Sequence, residues 1–156
     1  SIRADRSDAS IAGTLSMSSG NTSNLLYSTG AKDLGLYTNS ALKMTIESGG
    51  NVSFAGFIKG SLTASITAST TQTQGQGPLT TENNEVSVVA NASDTVTLPT
   101  AIASIRCVVM NNGVNTLQIF PASGDNLGAG INTATTLASG SNITFLAYDA
   151  TNWEIV

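Results

Sequence analysis

The segment IRCVVMNNGVNTLQIF, residues 105–120, contains two apolar runs on either side of the dipeptide Asn112-Gly113. Asn-Gly is typical of the two-residue type I′ turn that joins neighbouring antiparallel strands. A two-residue turn at this point would pair Val108 with Leu117. The segment therefore predicts a β-hairpin.

Both faces of the first strand of this hairpin are apolar, and the C-terminal segment 142–156 has the same property. In an antiparallel sheet one face normally meets water, so a strand that is apolar on both faces indicates a central place in a sandwich or a second partner. We predict that side chains from these strands form an oligomer interface: Ile105, Cys107, Val109, Leu146 and Tyr148.

Strand candidates recur at intervals of roughly ten residues through 79–156, with turn residues between them, which is typical of an all-β sandwich or barrel. The last two candidates form a hairpin that turns around residues 149–152. We expect a small antiparallel, jelly-roll-like fold. The candidate strands are residues 85–90, 95–98, 105–110, 115–120, 133–137, 142–148 and 152–156.

The N-terminal part of the chain predicts a β-meander over residues 34–56. Three sets of apolar residues alternate with polar ones, and Asn39-Ser40 and the segment 48–51 provide the reversals. A few short strands cannot bury an apolar face by themselves, so another surface must cover it. The alternating sets are Leu34 and Leu36, then Leu42, Met44 and Ile46, then Val52 and Phe54.

Between these parts lies SLTASITASTTQTQGQG, residues 61–77, a tract rich in Ser, Thr and Gln. Its composition favours a flexible linker, and an extended strand in a fibre is the alternative. We therefore divide the chain into an N-terminal β-hairpin attachment region at 1–60, a linker at 61–78 and a C-terminal β-sandwich domain at 79–156.

Composition argues against most kinds of enzyme. The chain has no His, one Cys and a net charge of −4. Without His there is no Ser-His-Asp or Cys-His nucleophile and no imidazole acid or base at neutral pH. We expect no catalytic residues, no metal and no cofactor. Five of the six basic residues lie before residue 79, and the acidic C-terminal half would repel phosphate, so nucleic acid is not an expected partner. No stretch approaches the 18 apolar residues that a membrane span needs, so a membrane is not expected either.

The individual candidates for chemistry are weak. Asp5 and Asp8 are close in sequence, but in a Ser- and Arg-flanked terminus they indicate a solvated charge cluster. The loop SGDNLGAG at 123–130 lacks both the calcium-loop and the Walker pattern. Cys107 lies in an apolar strand, where a buried and inert thiol is expected. Trp153 is expected in a core or an interface.

Size adds a reason for self-association. A C-terminal half of 78 residues would bury only about 61 % of its surface on folding. That is marginal without disulfides or metals, and oligomerisation is the remaining source of stability. We therefore predict a homo-oligomer whose subunits cover one another's apolar sheet faces.

Two stretches carry a family resemblance. LGLYTNSALKMTIESGGNVSFAG (34–56) resembles short hairpin segments that recur in tail fibres and other exterior proteins of tailed bacteriophages. Residues 84–156, with the runs VTLP, NNGVNTLQIFPASGDNL and ITFLAYDATNW, look like a small all-β module at the end of many phage structural proteins. The resemblance implies a homotrimer on the virion surface, attached to the major capsid protein or to tail proteins. It supplies no catalytic residues.

The expected function is therefore that of a non-enzymatic virion protein that decorates and stabilises the capsid. A tail fibre or spike that recognises a bacterial surface glycan is the alternative role. Two other classes remain open, a glycan depolymerase on a fibre scaffold and a host surface β-sandwich adhesin with calcium or sugar at its loops.

Overall fold

The computed structural model describes residues 15–19, 24–28, 33–39 and 41–156. Every regular element within these ranges is a β-strand, and they contain no helix, so the predicted all-β class is confirmed. The chain divides into two compact units, Ser1–Lys59 and Gly60–Val156.

The first unit contains a two-stranded ribbon and a three-stranded meander. In the ribbon, β1 (Leu15–Ser19) pairs antiparallel with β2 (Asn24–Ser28). The meander runs β3 (Leu34–Thr38), β4 (Ala41–Ile46) and β5 (Val52–Phe54) in that order, as the sequence predicts. Asn39 and Gly50 take the positive φ that tight reversals need, at 49° and 89°.

The second unit has two sheets, one of five strands in the order β13-β12-β9-β7-β6 and one of three in the order β11-β10-β8. Its strands are β6 (Leu62–Thr67), β7 (Asn83–Val88), β8 (Thr95–Thr97), β9 (Arg106–Asn111), β10 (Leu117–Phe120), β11 (Thr135–Leu137), β12 (Ser141–Ala147) and β13 (Trp153–Ile155). All seven strands predicted after residue 79 are present.

One hydrophobic core joins the two sheets of this unit, which gives a sandwich-like fold with no closed barrel in the described part of the chain. The five-stranded sheet contributes Val109 and Phe145, and the three-stranded sheet contributes Leu117 and Ile119, all with 0 % exposure. Trp153 packs edge-on against Phe145, with ring centroids 6.5 Å apart. This unit therefore has a buried hydrophobic core of its own.

The sheets are mixed rather than purely antiparallel. β6 pairs parallel with β7, β7 pairs parallel with β9, and β8 pairs parallel with β10. Parallel neighbours require long connections, because a tight turn can only reverse the chain. The chain makes these connections by alternating between the two sheets, so that β8 separates β7 from β9 in sequence and β9 separates β8 from β10.

The predicted hairpin at Asn112-Gly113 is wrong. β9 pairs with β7 and β12, whereas β10 lies in the other sheet. The turn crosses from one layer to the other, and Gly113 does not have the positive φ of a type I′ turn. The glycine is needed for close approach instead, since a Cβ there would lie 2.6 Å from Val89 Cγ2 and 2.7 Å from Val89 N.

The predicted linker is corrected as well. Residues 62–67 form β6, the edge strand of the five-stranded sheet. Further along the tract, Ser69 N–H donates to Thr95 O at 2.9 Å and Gly77 O accepts from Thr97 N–H at 3.1 Å, which covers the free edge of β8. Polar composition hides this role, because an edge segment can be held by backbone hydrogen bonds with few apolar side chains.

The C-terminal hairpin agrees with the prediction. β12 pairs antiparallel with β13, and Ala147 lies opposite Trp153. Asp149 closes the turn, because its Oδ1 accepts from the backbone N–H of Thr151 at 2.8 Å and of Asn152 at 2.7 Å.

Candidate functional site

The β3-β4-β5 meander carries a regular apolar surface. Residues directly opposite in neighbouring antiparallel strands share a face. Leu34 lies opposite Ile46 and Ile46 opposite Val52, while Leu36 lies opposite Met44 and Met44 opposite Phe54. These six side chains form a grid of two rows and three columns, which we call the meander face: Leu34, Leu36, Met44, Ile46, Val52 and Phe54.

The described part of the chain leaves the meander face partly exposed. Leu36, Val52 and Phe54 are 45 %, 49 % and 48 % exposed. No residue between 33 and 59 whose burial the structure describes is fully buried. The first unit therefore has no core of its own in this part of the chain, in contrast to the second unit.

Polar groups next to the meander, in the first unit, form hydrogen bonds with one another. Glu47 accepts from Asn51 Nδ2 at 3.1 Å and from Ser53 Oγ at 2.9 Å. Asp33 Oδ1 accepts from the backbone N–H of Ser48 at 2.8 Å. None of the six residues of the meander face is charged. The uncovered face is thus apolar and neutral.

A β-bulge changes the alternation predicted for β4. The register shifts between Leu36 and Tyr37, and Tyr37 pairs with Leu42. A Cβ on Gly35 would lie 2.8 Å from Tyr37 Cε2 and 3.1 Å from Leu42 Cδ1. Since Gly35 alternates with Leu34 and Leu36, we place Leu42 on the opposite face and not in line with Met44.

The structure places the five predicted interface residues in two different environments. Cys107 and Val109 are buried in the core of the second unit, and Ile105 packs against that core. These three side chains therefore belong to the core of the second unit or pack against it, whereas Leu146 and Tyr148 lie outside it. The interface role of all five residues stays a prediction.

The outer face of the five-stranded sheet, to which Leu146 belongs, is mixed in character. Leu146 lies opposite Arg106 on one side and Glu154 on the other, and Val108 lies opposite Thr144. Residues 60–156 contain six acidic side chains and Arg106 as their one basic side chain. Identical units with this charge repel one another, so this face is less suited to self-association than the meander face.

Within the described residues the candidates for chemistry are inert or structural. Burial raises the pKa of the Cys107 thiol to about 12, which removes the reactive thiolate at neutral pH. A backbone hydrogen bond from Asn91 holds the pKa of the Asp94 carboxyl below its ordinary value. No three His, Cys, Asp or Glu side chains lie together there as metal ligands would. No described segment is a helix that could cross a membrane. Asp5 and Asp8 lie outside the described residues.

Sequence reasoning missed a set of buried polar side chains that tie the second unit together. Asn111 is fully buried, and its Nδ2 donates to Asn115 O and to Leu137 O, both at 2.9 Å. Asn84 is also fully buried and donates to Thr81 O at 2.9 Å. On β7 and β9 these asparagines alternate with apolar residues that face the core. This alternation was the sequence signal that could have identified them as buried.

The chain matches no protein-family model, no curated protein and no solved structure.

Proposed function

We propose that this chain is a non-enzymatic structural protein that works as a homotrimer on the exterior of a bacteriophage virion, where it decorates and stabilises the capsid. The observation that supports this function best is the meander face, a neutral grid of six apolar side chains that the described part of the chain leaves partly exposed. Exposed apolar grids of this kind are typical of association surfaces.

Self-association is the simplest way to cover the meander face. Contact between two copies brings neutral surfaces together, so it carries no cost for burying an unpaired charge. Closed symmetry is the norm for homo-oligomers, and three copies is the number that the phage resemblance implies. In this arrangement the second unit, which has a core of its own, is the part displayed outward.

The attachment partner is proposed as the major capsid protein or a tail protein. Three copies linked in one assembly can hold a large surface through contacts that are weak one at a time, because their binding is multivalent. The alternative role, a fibre or spike whose outward unit recognises a bacterial glycan, uses the same multivalency. Imaging the particle with an antibody against residues 60–156 separates them, since capsid positions support decoration and tail positions support the fibre.

The first test of this function is the mass of the full chain in solution. Light scattering over a range of concentrations should give three times the 15.8 kDa of the single chain. A mass of one chain at all concentrations would overturn the proposal. Loss of viscosity from a capsular polysaccharide incubated with the purified protein, abolished by an Asp or Glu substitution, would instead establish a depolymerase.

A further inference from the structure

The dipeptide Asn112-Gly113 is the one Asn-Gly sequence in the chain. Asn-Gly is especially prone to deamidation, because glycine has no side chain to hinder its backbone nitrogen. In this reaction the Gly113 nitrogen bonds to Asn112 Cγ and the bond from Cγ to Nδ2 breaks, so ammonia leaves with the proton of the Gly113 N–H. Water then opens the resulting succinimide ring to aspartate or isoaspartate. The dipeptide is therefore a candidate site of irreversible modification.

The structure holds the attacking nitrogen in a buried hydrogen bond. Gly113 is buried, and its N–H donates to Asn111 Oδ1 at 3.0 Å. Asn111 is itself fully buried. The nitrogen must lose this proton to form the ring, and a buried amide proton in a hydrogen bond reaches a base in the solvent only when the surrounding structure opens. The Asn111 side chain therefore protects the Gly113 nitrogen.

The side-chain amide that would be attacked is held as well. Asn112 Nδ2 donates to Glu85 Oε1 at 3.0 Å. Glu85 Oε2 also accepts from the backbone N–H of Ser65 in β6 at 2.8 Å, which fixes the carboxylate in place. A hydrogen bond to a charged acceptor is stronger than one between neutral groups. Ring closure turns the Asn112 side chain back over the peptide that follows it, so it must break the contact with Glu85.

Two further contacts fix the backbone at Gly113. A Cβ on this residue would lie 2.6 Å from Val89 Cγ2, so the glycine fits closely against Val89. Gly113 O accepts from Ser139 Oγ at 2.6 Å. Isoaspartate would lengthen the backbone by one carbon atom next to this close fit. Aspartate would place a second carboxylate against that of Glu85, and like charges at such a distance repel. Both products would therefore destabilise the second unit.

We propose that the native fold keeps Asn112-Gly113 closed to deamidation and that unfolding opens it. Each unfolding event then exposes the second unit to a permanent chemical change, and modification of unfolded chains makes unfolding irreversible. This inference goes beyond the proposed function. It concerns the second unit alone and does not depend on how many chains assemble.

The first test follows deamidation of Asn112 by peptide mass spectrometry. The full chain is incubated in mildly alkaline buffer with and without guanidinium chloride. A peptide of residues 108–117 in the same two buffers corrects for the effect of the denaturant on the reaction itself. Because one neutral and one charged hydrogen bond must break in the native chain, the unfolded chain should react at least about 30-fold faster. Equal corrected rates would overturn the proposal.

The variant Glu85→Ala tests the role of the carboxylate. It frees the Asn112 side chain and should speed deamidation of the native chain by about 10-fold, while the rate in denaturant stays that of the wild type. Glu154→Ala removes the same charge from β13 and is the matched control, which should react like the wild type. An unchanged rate in Glu85→Ala would disprove the role of Glu85.

Amide hydrogen exchange separates local protection from overall stability. Exchange at Val109, in the core, reports unfolding of the whole unit in each variant. If Glu85→Ala speeds exchange at Val109 as much as it speeds deamidation, loss of stability explains the result and the role of Glu85 is refuted. In the wild type the Gly113 amide proton should exchange slowly, and rapid native exchange at Gly113 would contradict the proposal without any variant.

Discussion

Truncation of Phe54 to Ala should weaken assembly strongly while leaving the second unit intact. Phe54 lies opposite Met44 at the end of the meander face and is 48 % exposed in the single chain. Burying a whole Phe side chain is worth up to about 3 kcal/mol, so covering the exposed half gains up to about 1.4 kcal/mol per chain. Three chains together lose up to about 4.2 kcal/mol, which raises the trimer dissociation constant by up to about 1,000-fold.

Sedimentation equilibrium over a wide concentration range measures this shift directly. Ile131→Ala is the control, because it removes a side chain of comparable exposure from the second unit and should leave the dissociation constant unchanged. The reasoning is refuted if Phe54→Ala assembles like the wild type, or if Ile131→Ala weakens assembly to the same extent.

Three further predictions concern the second unit. Gly113→Ala should lower its unfolding free energy by about 1–3 kcal/mol, because the new Cβ meets the Val89 backbone, and an unchanged urea midpoint would contradict this. Asp149→Ala should also destabilise it at pH 7. Hydrogen bonds from the Thr151 backbone and the Asn152 side chain hold the pKa of Asp149 below its ordinary value, so the wild type's advantage should shrink as the pH falls below about 4, and an advantage constant from pH 7 to pH 3 would disprove the assignment. Cys107 should resist maleimide labelling in the native chain and react fully in urea, and rapid native labelling would contradict its burial.

Local patterns in the sequence predicted the strands well. Alternation and turn residues located the meander and all seven strands after residue 79, because both signals depend on neighbours in sequence. The C-terminal hairpin was predicted for the same reason, since Asp149 closes its turn with groups two and three residues away.

Pairing between distant strands could not be predicted in this way. Asn112-Gly113 has the composition of a hairpin turn, yet the chain crosses to the other sheet there. Two distant contacts accompany the crossing: Asn111 Nδ2 donates to Leu137 O, and Gly113 lies against Val89. The tract 61–77 was misjudged since its backbone hydrogen bonds go to Thr95 and Thr97, more than fifteen residues away. These contacts depend on tertiary structure that composition does not encode.

The same dependence on tertiary structure explains why the interface prediction included residues that lie in the core. Periodicity identifies a strand with two apolar faces, but it does not say whether the second layer comes from the same chain or from another. For Cys107 and Val109 the second layer is the chain's own three-stranded sheet, and joining residues 60–78 to the C-terminal half makes the unit larger than the 78 residues assumed. For Leu36 and Phe54 no described part of the chain supplies such a layer.

The two units therefore differ in whether they have a buried hydrophobic core. We base the proposed division of roles on this difference. The second unit has a buried hydrophobic core of its own, although side chains such as Val114 and Ile131 are exposed, and it should fold without partners. The first unit exposes a neutral apolar face on its described strands, and we expect assembly to cover this face.

The most direct measurement is the mass of the full chain beside that of residues 60–156 expressed alone, both by sedimentation equilibrium in the same buffer. We predict a trimer for the full chain and a monomer with one cooperative thermal transition for the shorter one. A shorter chain that forms the same trimer, or a full chain that stays monomeric, would contradict the assignment of assembly to the meander face.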